Sequence, residues 1–155
     1  MKTACEVLQE IVRIYNDSSQ KPISETKLTG FFYLFDRSYY LKNNHTLTGF
    51  SYTKYSKGPH SEELDELIRE STINHLFHSS ESTDDRYTRY ELCNCPVHQS
   101  GVDLSEEMLE MIDSVVDEHE SKKESDLIEH LRSLPETTDK EKYALIDFGD
   151  IKSED

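Results

Sequence analysis

The chain has 155 residues and a net charge of −15, from 32 Asp and Glu against 17 Lys and Arg. That balance works against duplex nucleic acid, whose affinity comes largely from Lys and Arg on phosphates. There is no apolar run of about 18 residues, which excludes a transmembrane helix, and three cysteines in a loose pattern do not make a disulfide framework.

The length suits one domain over residues 1–155, with a cytoplasmic location by default. The charge is unevenly spread. Residues 1–60 carry eight Lys/Arg against five Asp/Glu, and residues 61–155 carry nine against twenty-seven. A solvated acidic surface accounts for this most simply. A basic partner, or imitation of nucleic acid, are the sharper readings.

Val7, Leu8, Ile11, Val12 and Ile14 predict an amphipathic first helix over about Thr3 to Tyr15. Leu28, Phe31, Phe32, Phe35, Tyr39 and Tyr40 predict a second, from about Lys27 to Lys42. Ser24 is placed to cap it, and Asn43-Asn44 to end it in the left-handed conformation. Residues 27–67 hold four of the six phenylalanines and five of the nine tyrosines, so the core is expected to start there. Gly49 to Ser56 alternates and predicts a strand. Gly58-Pro59 then reads as the opening of a third helix, with Pro59 in its first turn, acidic residues beside it, and Leu64, Leu67 and Ile68 as the buried stripe.

Thr72 to Phe77 and Arg86 to Leu92 read as two strands joined by a polar loop, a hairpin resembling a wing. The strand at Gly49–Ser56 is expected to pair with Arg86–Leu92. A fourth helix is expected from Ser105 to His119 and a fifth from Ser125 to Leu134-Pro135. Thr138 is expected to cap a last short helix through Tyr143 and Leu145, followed by an apolar plug at Ile146 to Gly149. The fold class is therefore α+β and mainly helical, with about five helices and a small antiparallel, winged-helix-like hairpin or sheet. The expected core comprises Phe31, Phe32, Phe35, Leu64, Leu67, Met111, Ile112 and Val115.

Chemistry is sparse. Cys93, Cys95 and His98 form a C-x-C-x2-H set of zinc-type ligands, but the spacing is tighter than a zinc knuckle and a fourth ligand, His60 or Cys5, would come from afar. No bound metal and no cofactor are expected. His60-Ser61-Glu62 lacks the P-C-x-x-C partner of a zinc deaminase. Nucleophile elbow, P-loop and dinucleotide fingerprint are all missing, so an enzyme is disfavoured.

An ordered set of pieces carries a resemblance: Lys27-Leu28, Tyr33-Leu34, Asp36, Tyr39-Tyr40, Leu47-Thr48-Gly49, Tyr52, Tyr55, Gly58-Pro59 and Leu64. Together they resemble the SocA-like antitoxin family, also called the Panacea domain. The chain departs from that pattern at Thr29-Gly30-Phe31. The resemblance implies a non-enzymatic protein-binding module that neutralises a partner toxin, by masking it or by presenting it to a protease as an adaptor. With this acidic body the toxin is expected to be basic. An acidic viral or mobile-element inhibitor that mimics nucleic acid is the alternative. The expected partner surface comprises Tyr33, Asp36, Tyr40, Tyr52, Tyr55, Gly58 and Pro59, because tyrosines supply broad contact area at little entropic cost.

Overall fold

The computed structural model describes the backbone of residues 2–73, 77–83, 88–94 and 103–151, and the side chains of residues 3–73 and 103–151. Helix α1 spans Lys2–Ser19, and a two-residue strand β1, Ile23–Ser24, leads into α2, Glu25–Asn43. Every residue from Gly30 to Asp36 is buried, because α2 is apolar nearly all round and touches α1, α4 (Glu106–His119) and α5 (Glu124–Arg132). Its ends are those the sequence predicts. Ser24 Oγ accepts the Lys27 amide at 3.2 Å, and Asn44 closes the helix at φ 61°. Of the expected core, Phe31, Phe32, Phe35, Leu64, Ile112 and Val115 are buried, while Leu67 and Met111 pack half-buried at its edge.

Strand β2, Tyr52–Tyr55, turns back directly on β3, Gly58–His60. Pro59 therefore lies in a strand opposite Lys54 and not in a helix. Helix α3 starts only at Glu62, where Ser61 Oγ accepts the Leu64 amide at 3.2 Å, and it runs to Ile73. That helical end occupies the first part of the strand expected over Thr72 to Phe77. Residues 74–76 lie outside the described residues.

The hairpin after α3 is formed by β4, Phe77–Thr83, and β5, Thr88–Asn94. It does not pair with β2. The first sheet runs β1-β5-β4 and the second β3-β2-β6, all antiparallel, with β6 at Leu145–Ile146. The expected pairing of Gly49–Ser56 with Arg86–Leu92 is thus corrected. The Gly58 turn gives β2 a local partner on one edge, and the tail strand takes the other. The last helix also differs from expectation. Helix α6 is Pro135–Thr138, and Leu145, expected at the end of a helix, lies with Ile146 in strand β6. Phe148, in a 3-10 turn over Phe148–Asp150, is buried as the plug. Among the described residues no helix is long and apolar enough to cross a membrane.

Candidate partner-binding site

Five of the seven residues expected at the partner surface are buried. Tyr33 and Asp36 are 0% exposed, Tyr52 is 2% exposed, and Gly58 and Pro59 are also buried. This burial has a physical cause, since each of the two tyrosines donates its hydroxyl to a buried carboxylate, Tyr33 to Glu136 and Tyr52 to Asp36. Tyr52 and Thr48 hydroxyls both donate to Asp36 Oδ2 at 2.7 Å. Tyr33 donates to Glu136 Oε2 at 2.6 Å, and Arg37 Nε donates to the same oxygen at 2.6 Å. Glu136 is itself 0% exposed at the start of α6.

The Tyr33 and Tyr52 rings meet edge-on at 4.9 Å, and both lie against Phe148. Burial, reinforced by the neighbouring carboxylates, pushes both phenols well above their usual range and keeps them donors. Burial also raises the Asp36 carboxyl, against the opposing hydrogen bonds from Tyr52 and Thr48. Its Oδ1 has no hydrogen-bond partner among the described residues. Tyr40 is half-buried and stacks on Phe148 at 5.5 Å. These residues hold α2, the second sheet and the tail together.

A separate open groove has a volume of about 200 Å³. Its walls are the first turns of α2, the β2–β3 hairpin and Asp65 of α3, with Leu131 of α5 at the base. Two glycines let these elements meet. A Cβ on Gly30 would stand 3.0 Å from Leu131 Cδ1, and one on Gly58 would stand 3.3 Å from Leu131 Cβ. Gly58 also needs φ +98°, a conformation L side chains rarely adopt.

Inside the groove His60 Nε2 lies 2.7 Å from Asp65 Oδ2, which fixes the ring, and His60 Nδ1 has no partner among the described residues. The Tyr55 ring covers His60 at 4.4 Å. The Glu25 carboxyl on the opposite wall is raised by burial and then by the Asp65 charge, with Arg69 opposing. With one ring nitrogen on Asp65 and the other buried, His60 supports the Tyr55 ring, whose face is what the groove edge offers to a bound segment.

The groove continues outward onto an exposed ridge. Tyr143 is 62% exposed, as is Leu145, which stands opposite Thr53 on β6. Tyr143 meets the Tyr55 ring edge-on at 5.2 Å. It sits at φ +71°, an uncommon and costly conformation for a bulky side chain, held by its amide bonding Lys54 O at 2.6 Å. Tyr55, Tyr143 and Leu145 thus make a continuous aromatic and aliphatic edge beside the groove.

The chain belongs to the SocA-like antitoxin family. The family model, described as "Antitoxin SocA-like, Panacea domain", matches residues 28–136. No curated protein and no solved structure matches the chain. The matched span of the SocA-like domain runs from α2 into α6, so it contains the buried Tyr33–Glu136 and Asp36–Tyr52 pairs and the Tyr55–His60 side of the groove. Tyr143 and Leu145 lie beyond it.

Reading the sequence misses these two residues, because the spacing through Leu145 predicts a helix that carries Tyr143. The signal that would have found them is the short apolar run Tyr143 to Ile146, placed after a charged stretch and before Asp147, which fits an edge strand as well as a helix. Of the zinc candidates, the side chain of Cys93 on β5, together with Cys95 and His98, lies outside the described residues, and Cys5 bonds Ser71 at 3.8 Å, far in sequence from His60. Among the described residues no three metal-ligating side chains converge.

Proposed function

We propose that this SocA-like domain neutralises a toxin by binding it directly, and that the binding surface is the groove under Tyr55 together with the Tyr143–Leu145 ridge. The observation that carries this reading is Tyr143, a large aromatic left 62% exposed and held at φ +71°. A strained conformation persists only where its surroundings impose it, and such positions cluster at sites that bind. Exposed tyrosines ringed by polar groups are typical anchors of protein interfaces.

The surface includes Tyr55, Gly58 and Pro59 from the expected set, which line the groove, while Tyr33, Asp36 and Tyr52 are buried and Tyr40 is half-buried outside it. The acidic character of residues 61–155 favours a basic toxin. One steering face is the cleft between α1 and α4, lined by Glu106, Glu110 and Asp113 beside Arg13, which is paired with Glu10 and Asp17.

The test is co-expression with the product of the adjacent gene, if that product is toxic to the host. Wild-type chain should restore growth, and Tyr55→Ala with Tyr143→Ala should not, while circular dichroism stays unchanged. Rescue by the double variant would move the site elsewhere. If wild type restores nothing and captures a DNA-binding protein instead, the nucleic-acid mimic is the better reading.

A further inference from the structure

We propose that the cleft between α1, the start of α2 and the start of α5 binds a small phosphorylated molecule. The chain has a net charge of −15, yet this cleft of about 660 Å³ is lined by Lys21, Lys27, Lys57 and Lys123 against one carboxylate, Glu124. Such a concentration of positive charge opposes the field of the whole protein, so it is a local feature and not part of a general basic face. The volume lies within the roughly 300–1,000 Å³ common for small-ligand sites.

Of the four, Lys27 is held in place, and Lys21, Lys57 and Lys123 are exposed at the rim. Lys27 Nζ lies 5.3 Å from the Tyr15 ring centroid and donates to the Tyr15 hydroxyl at 3.2 Å and the Glu120 carbonyl at 3.5 Å. Both acceptors are neutral, so they place the ammonium without cancelling its charge. Ser24 donates its hydroxyl to Glu124 Oε1 at 2.9 Å. That carboxylate marks the position in the cleft where an anionic oxygen is already accommodated. Both α2 and α5 also start at this cleft, and their N-terminal peptide groups favour negative charge there.

Charge and geometry narrow the ligand. The lining has four lysines and no arginine, and lysine binds phosphate as a point charge, several of which together suit a ligand with more than one negative charge. Long nucleic acid would feel the repulsion of the whole acidic body, whereas a compact ligand carrying a few charges feels mainly the lysines around it. Pro22 and Ile128, both half-buried, add an apolar wall for the rest of the molecule. Lys57 lies on the β2–β3 turn and borders the Tyr55 groove as well, so an occupant would touch the hairpin that forms the proposed partner surface.

The experiment is isothermal titration of the full chain with pyrophosphate and with ATP at low ionic strength, without metal. Saturable one-to-one binding is expected for both. Lys57→Ala with Lys123→Ala should weaken it about tenfold or more, as loss of charge-assisted contacts implies. Lys42→Ala with Lys142→Ala removes the same charge at exposed positions outside the cleft and should leave binding unchanged. Glu124→Gln should tighten it, because the competing carboxylate charge is gone. Tighter binding of ATP would assign the apolar wall to the nucleoside, and equal binding would assign recognition to the phosphates alone. Absence of saturable binding by either probe would overturn the proposal, as would equal weakening by the two lysine pairs.

Discussion

Two pairs of tyrosines sit at different depths in this protein, a lower, buried pair and an upper, more exposed one. Tyr33 and Tyr52 are buried and hydrogen-bonded to carboxylates, and Tyr55 and Tyr143 stand at a groove edge with their rings in contact. All four look alike in composition. What separates them is a buried acceptor: Glu136 receives Tyr33, and Asp36 receives Tyr52. A tyrosine whose hydroxyl is satisfied internally becomes core, and one without such a partner keeps its face for something else. The lower pair should therefore govern stability and the upper pair binding.

The sharpest break would come from Glu136→Ala. It leaves Arg37 and the Tyr33 hydroxyl without their acceptor in a closed site, and it should cost about 3–5 kcal/mol in urea unfolding. Failure to destabilise would mean that the lower pair is not held as described.

His119 extends the contrast, as a buried imidazole facing Phe31 and His130. Burial, and then the Lys122 charge, lower it to about 4 from the ordinary 6.5. The folded state thus prefers the neutral ring. The stability this contributes is whole above about 6.5 and is lost as pH falls toward 4, by roughly 3 kcal/mol. His119→Phe should flatten that part of the stability profile. Asp36 works with the opposite sign. Its raised folded value favours the native state at low pH, and that contribution is lost as pH rises through it, so Asp36→Asn should flatten the other side.

Tyr52→Phe removes one of the two hydrogen bonds to Asp36 and should cost about 1–3 kcal/mol, read by thermal or urea melting. The smallest effect is expected at the ridge. Tyr143→Gly relieves a positive φ and should leave stability within about 1 kcal/mol of wild type, with either sign. A larger loss would make Tyr143 a structural residue and erase the contrast.

Much of the fold was readable beforehand. Helix α2 was visible in its three- and four-residue spacing, and its two ends in Ser24 and Asn43-Asn44. The alternation of Gly49–Ser56 gave β2. Its partners were not readable, because Gly-Pro opens helices and closes hairpins alike. Here the choice is made by Gly58 at φ +98° pressed against Leu131, a contact from far along the chain. Glu136 was equally hidden. It is one of 32 acidic residues, and only the 103-residue closure from Tyr33 singles it out. The candidate site was half legible. The tyrosine-rich set includes Tyr55, Gly58 and Pro59 of the groove, but alternation and composition do not tell a tyrosine with a buried acceptor from one without.

The most direct test compares two double variants for stability and for toxin neutralisation. Tyr33→Phe with Tyr52→Phe should lower the melting temperature while the protein that remains folded still binds the toxin with wild-type affinity. Tyr55→Ala with Tyr143→Ala should melt close to wild type and lose about thirtyfold or more in toxin affinity, the scale of an interface anchor. The reverse pattern, with affinity lost in the buried pair and kept in the surface pair, would contradict the account.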